Sequence, residues 1–383
     1  MSMQNRRVAT WLLAGIAAAY LPVHATGQSI FQRVPTPNEN PDNELFAVSA
    51  SSPSDIWAVG ESAIHYDGAK WTAFPVPTIL GDNTGSLLGV ADISPTQAWA
   101  VGNGTQGQVI EQWDGAAWSV FPSPPFNAPG ESAILLAMTA ISANDIWALG
   151  NLTDDGVSEN LFEHWDGAAW TPTIVALRGI PTAASSDATN DVWAVGFAGL
   201  SAIEGKPFVA HYDGTVWRRA PAPDKGVFNA VAALAPNDVW AAGSITNVKN
   251  GPTRTLIEHY DGSQWSVAPS PNVGPHSMYQ SNRLLEITAI SATDIWAFGS
   301  YFAADGSGHQ KTLLLHWDGS AWSLAPSPNP TKGDFLDDVL FAGVAPSPGN
   351  LWIVGGEAEF VQGDPIFGTL AIHSTTAASA IPY

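Results

Sequence analysis

The chain has 383 residues, about 45% of them apolar, with 35 acidic side chains against 14 basic and a formal net charge of −21. That apolar content supports a large core, while a polyanion binder would need a basic stripe that is missing, so nucleic acid is excluded as an expected partner. No cysteine is present, which removes disulfides, thiolate metal sites and cysteine nucleophiles.

Residues 1–25 read as a signal peptide. Arg6 and Arg7 form a positive start, an apolar run follows from Val8 to Tyr20, and Val23-His24-Ala25 offers small residues to a peptidase. The run is short for a membrane span. The expectation is a mature chain of residues 26–383, secreted or periplasmic, with no span after cleavage. Residues 28–38 come next. Within them, Phe31-Gln32-Arg33-Val34-Pro35-Thr36-Pro37-Asn38 matches Trp265-Ser266-Val267-Ala268-Pro269-Ser270-Pro271-Asn272 in spacing and ending.

A repeat then occupies the rest. DIWAVG at Asp55 to Gly60 returns six times in varied form, from AWAVG at Ala98 to Gly102 to NLWIVG at Asn350 to Gly355, and the tryptophans of the seven copies are Trp57, Trp99, Trp147, Trp193, Trp240, Trp296 and Trp352. Their spacings of 42, 48, 46, 47, 56 and 56 residues fall in the range of one propeller blade. A second string, HYDGAKW at His65 to Trp71, recurs six times in all and ends in Trp71, Trp118, Trp170, Trp217, Trp265 and Trp322. Asp-Gly between apolar aromatic runs signals a hairpin, because glycine supplies positive φ. Each repeat parses into four short strands at approximately 44–77, 88–124, 134–173, 180–222, 227–270, 284–327 and 338–373. The seventh copy lacks its Asp-Gly-x-x-Trp hairpin, and the segment before Asn38 supplies a matching strand.

These features predict an all-β, seven-bladed β-propeller with four antiparallel strands per blade. The N-terminal strand completes the last blade and removes the raw edges that an open ring would present. The periodic tryptophans are assigned to packing between blades. Asp55, Asp145, Asp191, Asp238 and Asp294 are expected to accept turn amides, and the hairpin aspartates to hold the Asp-Gly turns. His65, His164, His211, His259, His316 and His373 share one strand position, which favours hydrogen bonding over a metal site.

A glycine-ended second strand, an aromatic-Asp pair, a tryptophan four or five residues later and a Pro-rich exit together resemble the kelch repeat. Ile353-Val354-Gly355-Gly356 is the only double-glycine copy. The hairpin string looks loosely like the Asp-box of sialidase-type propellers. The kelch resemblance implies the fold and includes the secreted galactose oxidase group, whose copper chemistry needs a cysteine absent here.

Function is expected on the face carrying the loops of variable length, the longest of which fall in blades 5 to 7. Their non-periodic groups give the candidate ligand-binding set His276, Tyr279, Arg283, Tyr301, Asp305, His309, Asp334, Glu357 and Glu359. The preferred reading is a monomeric, non-catalytic binding or scaffold protein for a glycan, peptide or envelope protein, with no catalytic residue assigned. The alternative is a polysaccharide hydrolase or lyase, which needs two loop carboxylates facing each other about 5–10 Å apart. No cofactor is expected beyond a calcium ion at Asp305-Gly306-Ser307-Gly308-His309 or Asp154-Asp155-Gly156, and neither has an alternating-acid loop.

Overall fold

The computed structural model describes residues 31–38, 43–77, 85–105, 107–123, 126, 128, 130–199, 205–246, 251–274, 281–303, 309–329, 337–361 and 364–374. The expected signal peptide lies outside them. Strands of alternating side chains form seven separate four-stranded antiparallel sheets. In blade 1 the order from the inside out is Leu45–Ser52, Asp55–Gly60, Ala63–Tyr66 and Trp71–Phe74. The innermost strands of the other blades are Ser86–Ser94, Glu131–Ser142, Ile180–Ala188, Val227–Ala235, Asn282–Ser291 and Asp337–Ser347. Each lies against the innermost strand of the next blade, and that of blade 7 lies against that of blade 1, so the array is a closed ring.

Closure is made by the N-terminal strand. Phe31–Arg33 pairs antiparallel with Asp364–Ser374, in the register Phe31↔Ser374, Gln32↔His373 and Arg33↔Ile372. Just beyond it, the Asn38 carboxamide oxygen accepts the Thr369 amide at 2.8 Å. Asn272 does the same for Thr255 and Asn329 for Thr312, both at 2.9 Å. The matched sequence segments therefore make the same bonds, two within a blade and one across the chain ends.

The core lies between blades. Trp57 packs edge-on against Trp118 of blade 2 at 5.0 Å and tilts against Trp113 at 4.8 Å. The same contact joins Trp99 to Trp170, Trp147 to Trp217, Trp193 to Trp265 and Trp240 to Trp322, and Trp71 of blade 1 packs on Trp352 of blade 7. Phe31 replaces the missing seventh tryptophan, edge-on to Trp296 at 5.2 Å. Such pairs contribute about 0.5–1.5 kcal/mol beyond the area they bury.

The repeated polar residues hold single blades together. His65 Nε2 lies 2.7 Å from Asp55 Oδ1 and its ring sits 4.7 Å from Trp57, and five further blades repeat this Trp-His contact. Asp145, Asp238 and Asp294 meet their histidines at 2.8–2.9 Å, Asp191 meets His211, and Asn350 meets His373 at 2.7 Å. These carboxylates thus reach the third-strand histidine, which corrects the expectation of turn amides. The turn amides are taken by the hairpin aspartates instead. Asp67 Oδ1 accepts both Ala69 and Lys70 at 2.9 Å, beside Gly68 at φ +91°.

Candidate functional site

The glycine that ends each second strand shapes the ring's interior. A Cβ on Gly60 would lie 2.0 Å from the Glu44 carbonyl oxygen, and one on Gly243 would lie 2.1 Å from that of Val227. All seven of these glycines face such a carbonyl. Opposite each, the innermost strand carries a β-bulge with one unpaired residue. A bulge re-aims the local side chain. The seven unpaired residues are Phe46, Leu88, Leu136, Thr182, Asn229, Leu285 and Phe341, and all line an axial channel of about 360 Å³.

Five members of that collar are apolar. The other two are tied to the wall: Thr182 Oγ1 donates to Phe228 O at 3.2 Å, and Asn229 Nδ2 donates to Leu284 O at 2.8 Å. The next paired position is Ala47, Gly89, Ala137, Ala183, Ala230, Glu286 and Ala342 in chain order. Glu286 alone breaks this column of small residues. Burial pushes its carboxyl up to about 8. The alignment of repeats could have exposed it, but only with the bulge register in hand.

A second concavity of about 300 Å³ opens between blades 6 and 7 and shares Leu285 and Phe341 with the channel. Its polar lining includes Glu44, Arg283, Ser300, Gln310, Asp337 and Glu357. Arg283 Nε is buried with no hydrogen-bond partner among the described residues, and burial lowers the guanidinium pKa. Ser300 Oγ donates to Gln310 Oε1 at 2.8 Å, and the Gln310 amide donates to Asp337 Oδ1 at 2.5 Å.

Of the sequence-derived set, Arg283 and Glu357 meet in this pocket, where Glu357 also pairs with Arg33 of the closing strand. His309 stands beside it, its Nδ1 3.8 Å from Asp337 Oδ1. Tyr301 is not brought in; it packs on the opposite side of blade 6, against the apolar cluster shared with blade 5. The backbone of Glu359 lies in the strand Asn350–Val361. His276, Tyr279, Asp305 and Asp334 lie outside the described residues. Asp154-Asp155-Gly156 makes a hairpin turn with Asp155 at φ +46°, and no group of three metal-ligating side chains occurs among the described residues. Nor, among those residues, is any helix long and apolar enough to cross a membrane.

No family model matches the chain, and no curated protein matches it. A solved structure described as YCF48 bound to D1 peptide is similar over 91% of this chain and 100% of that one, with a TM-score of 0.55 at 14% sequence identity. At that identity the likeness carries the fold alone. The class is settled by the seven closed blades: the chain is a seven-bladed β-propeller.

Proposed function

We propose that this propeller is an exported, non-catalytic binding protein that holds a peptide segment on its variable-loop face, at the pocket between blades 6 and 7. One observation carries the reading. Arg283 presents a partly buried guanidinium whose Nε has no partner among the described residues, in a pocket that also holds acidic side chains. A guanidinium of this kind suits the carboxylates and carbonyls of a peptide, to which its fork of donors is matched. The fold-level neighbour is described as bound to a peptide, which supports the same class of ligand. An enzymatic reading has less support. Among the described residues, the carboxyls pushed upward by burial, Asp92, Glu163, Asp187, Glu258 and Glu286, all lie outside this pocket.

The test presents the mature chain to a peptide array and a glycan array in parallel. Peptides should be retained, and Arg283→Ala should weaken them at least tenfold, about 1.4 kcal/mol. Retention of glycans alone, turnover of any polysaccharide, or peptide binding indifferent to Arg283→Ala would overturn the proposal.

A further inference from the structure

The axial channel carries an inference that the loop-face pocket does not. Its wall is built from the seven innermost strands, and Glu286 is the only titratable residue among its described lining residues. Glu286 Oε1 accepts the Ile287 amide at 2.8 Å, and no other hydrogen bond to this carboxylate occurs among the described residues. Arg283, three residues earlier on the same strand, lines the neighbouring pocket instead. Two further departures from the repeat stand at this junction. Phe298 pairs with Glu286 across the strands, at a position that is Val, Leu or Ala elsewhere. A Cβ on Gly343 of blade 7 would lie 2.4 Å from Phe298 Cζ, so the glycine makes room for that ring. Above, Phe46 and Phe341 meet at 5.5 Å in an edge-on pair.

We infer that this channel is a binding site for an aliphatic primary ammonium, as carried by a lysine side chain or by a free alkylamine, with Glu286 as its counter-ion and the collar of Phe46, Leu285 and Phe341 around its methylene stem.

The chemistry selects among cations. A calcium ion takes six to eight oxygen ligands, and the channel lining offers one carboxylate. A guanidinium is best held by both oxygens of a carboxylate, and Glu286 Oε1 already accepts the Ile287 amide, which leaves less acceptor capacity for a planar fork than for a single ammonium N–H. An ammonium is a compact point charge that needs one oxygen, and its stem packs on apolar surface. The volume of about 360 Å³ lies at the small end of ligand pockets, which suits one side chain and not a folded partner.

The experiment is calorimetric titration of the full mature chain at pH 8 with n-butylammonium, with n-butanol as the neutral match. Two short peptides, one with a central lysine and one with norleucine in its place, identify the source of the amine. Butylammonium should bind saturably and at least tenfold more tightly than butanol, and Glu286→Gln should remove that preference while leaving butanol unchanged. Binding of the lysine peptide as well identifies a side chain as the occupant; binding of the free amine alone identifies a small molecule. Because Glu286→Gln keeps shape and removes a buried charge, its fold is checked by far-ultraviolet circular dichroism, and Glu286→Asp, which retains charge, should retain measurable binding. Equal affinity for butylammonium in the native chain and Glu286→Gln, or no saturable binding by either amine probe, would overturn the inference. Arg283→Ala should leave it untouched, which separates it from the peptide reading.

Discussion

At the residue scale the second-strand glycine does more than any other repeated position. It has no positive φ to accommodate, and its role is close approach: the carbonyl of the innermost strand sits where a Cβ would be. That contact coincides with the bulge, and the bulge supplies the side chain that lines the channel. Gly243→Ala should therefore destabilise the protein by about 1–3 kcal/mol, the range for inserting atoms into packed structure. The carbonyl of Val227 belongs to backbone and cannot swing aside. Urea denaturation followed by tryptophan fluorescence measures it. Gly156, in an exposed hairpin with nothing near its missing Cβ, is the contrast for space, though its own φ of +82° strains a substitution for a different reason.

At the element scale the closing strand is only three residues long, yet it fills a whole position in the aromatic ring. Phe31 is 1% exposed against Trp296, and Arg33 pairs with Glu357. Phe31→Ala should cost about 3–5 kcal/mol, as for other buried aromatic truncations. Removing everything before Asn38 should lower the thermal midpoint of the whole molecule in one transition, because every blade leans on its neighbour. An unchanged midpoint after that deletion would mean that the strand is ornamental. This element was legible in the sequence because its packing partner is periodic: a Phe stands where Trp265 and Trp322 stand, followed by the same Pro-x-Pro-Asn. Blade number and hairpins were legible for the same reason, since each needs a fixed residue at a fixed spacing. The channel was not. Bulge register depends on which carbonyl faces which glycine, a relation between strands that no single-strand pattern displays, and so Glu286, read only as the start of a first strand, was not singled out. The candidate set was drawn from loops, and among its described residues Arg283 and Glu357 line the pocket, because both sit on strands whose neighbours hold them at its rim.

At the scale of the whole molecule, charge opposes burial in an unusual direction. Desolvation pushes Asp92 and Glu286 up to about 8 and Glu163 and Glu258 up to about 7, well above the value near 4 that such groups hold in an unfolded chain. Between about pH 4 and pH 8 the folded state then binds more protons than the unfolded state, so stability falls as pH rises through that window. Repulsion within a chain of net charge −21 acts the same way as more carboxyls ionise. The hairpin aspartates work at the other end. Hydrogen bonds from the Ser263 hydroxyl and the Gln264 amide hold Asp261 down to about 2, and those from the Ser320 hydroxyl and the Ala321 amide do the same for Asp318. Their contribution is present above the unfolded value and is lost as pH falls through about 4 toward 2. Maximum stability should therefore lie near pH 4–5, below the usual range of about 5–8. Thermal midpoints measured at pH 4.5, 6, 7.5 and 9, at constant ionic strength, should fall along that series. Glu163→Gln keeps a side-chain acceptor for Gln108, which now donates to the carboxylate at 2.7 Å, but removes the titration. It should leave the midpoint at pH 4.5 nearly unchanged, raise it at pH 9, and so flatten the slope by one group's share. A midpoint that climbed from pH 4.5 to 7.5 would show that these inter-blade and channel carboxyls are ionised without penalty, and the argument for a desolvated interior would fail with it.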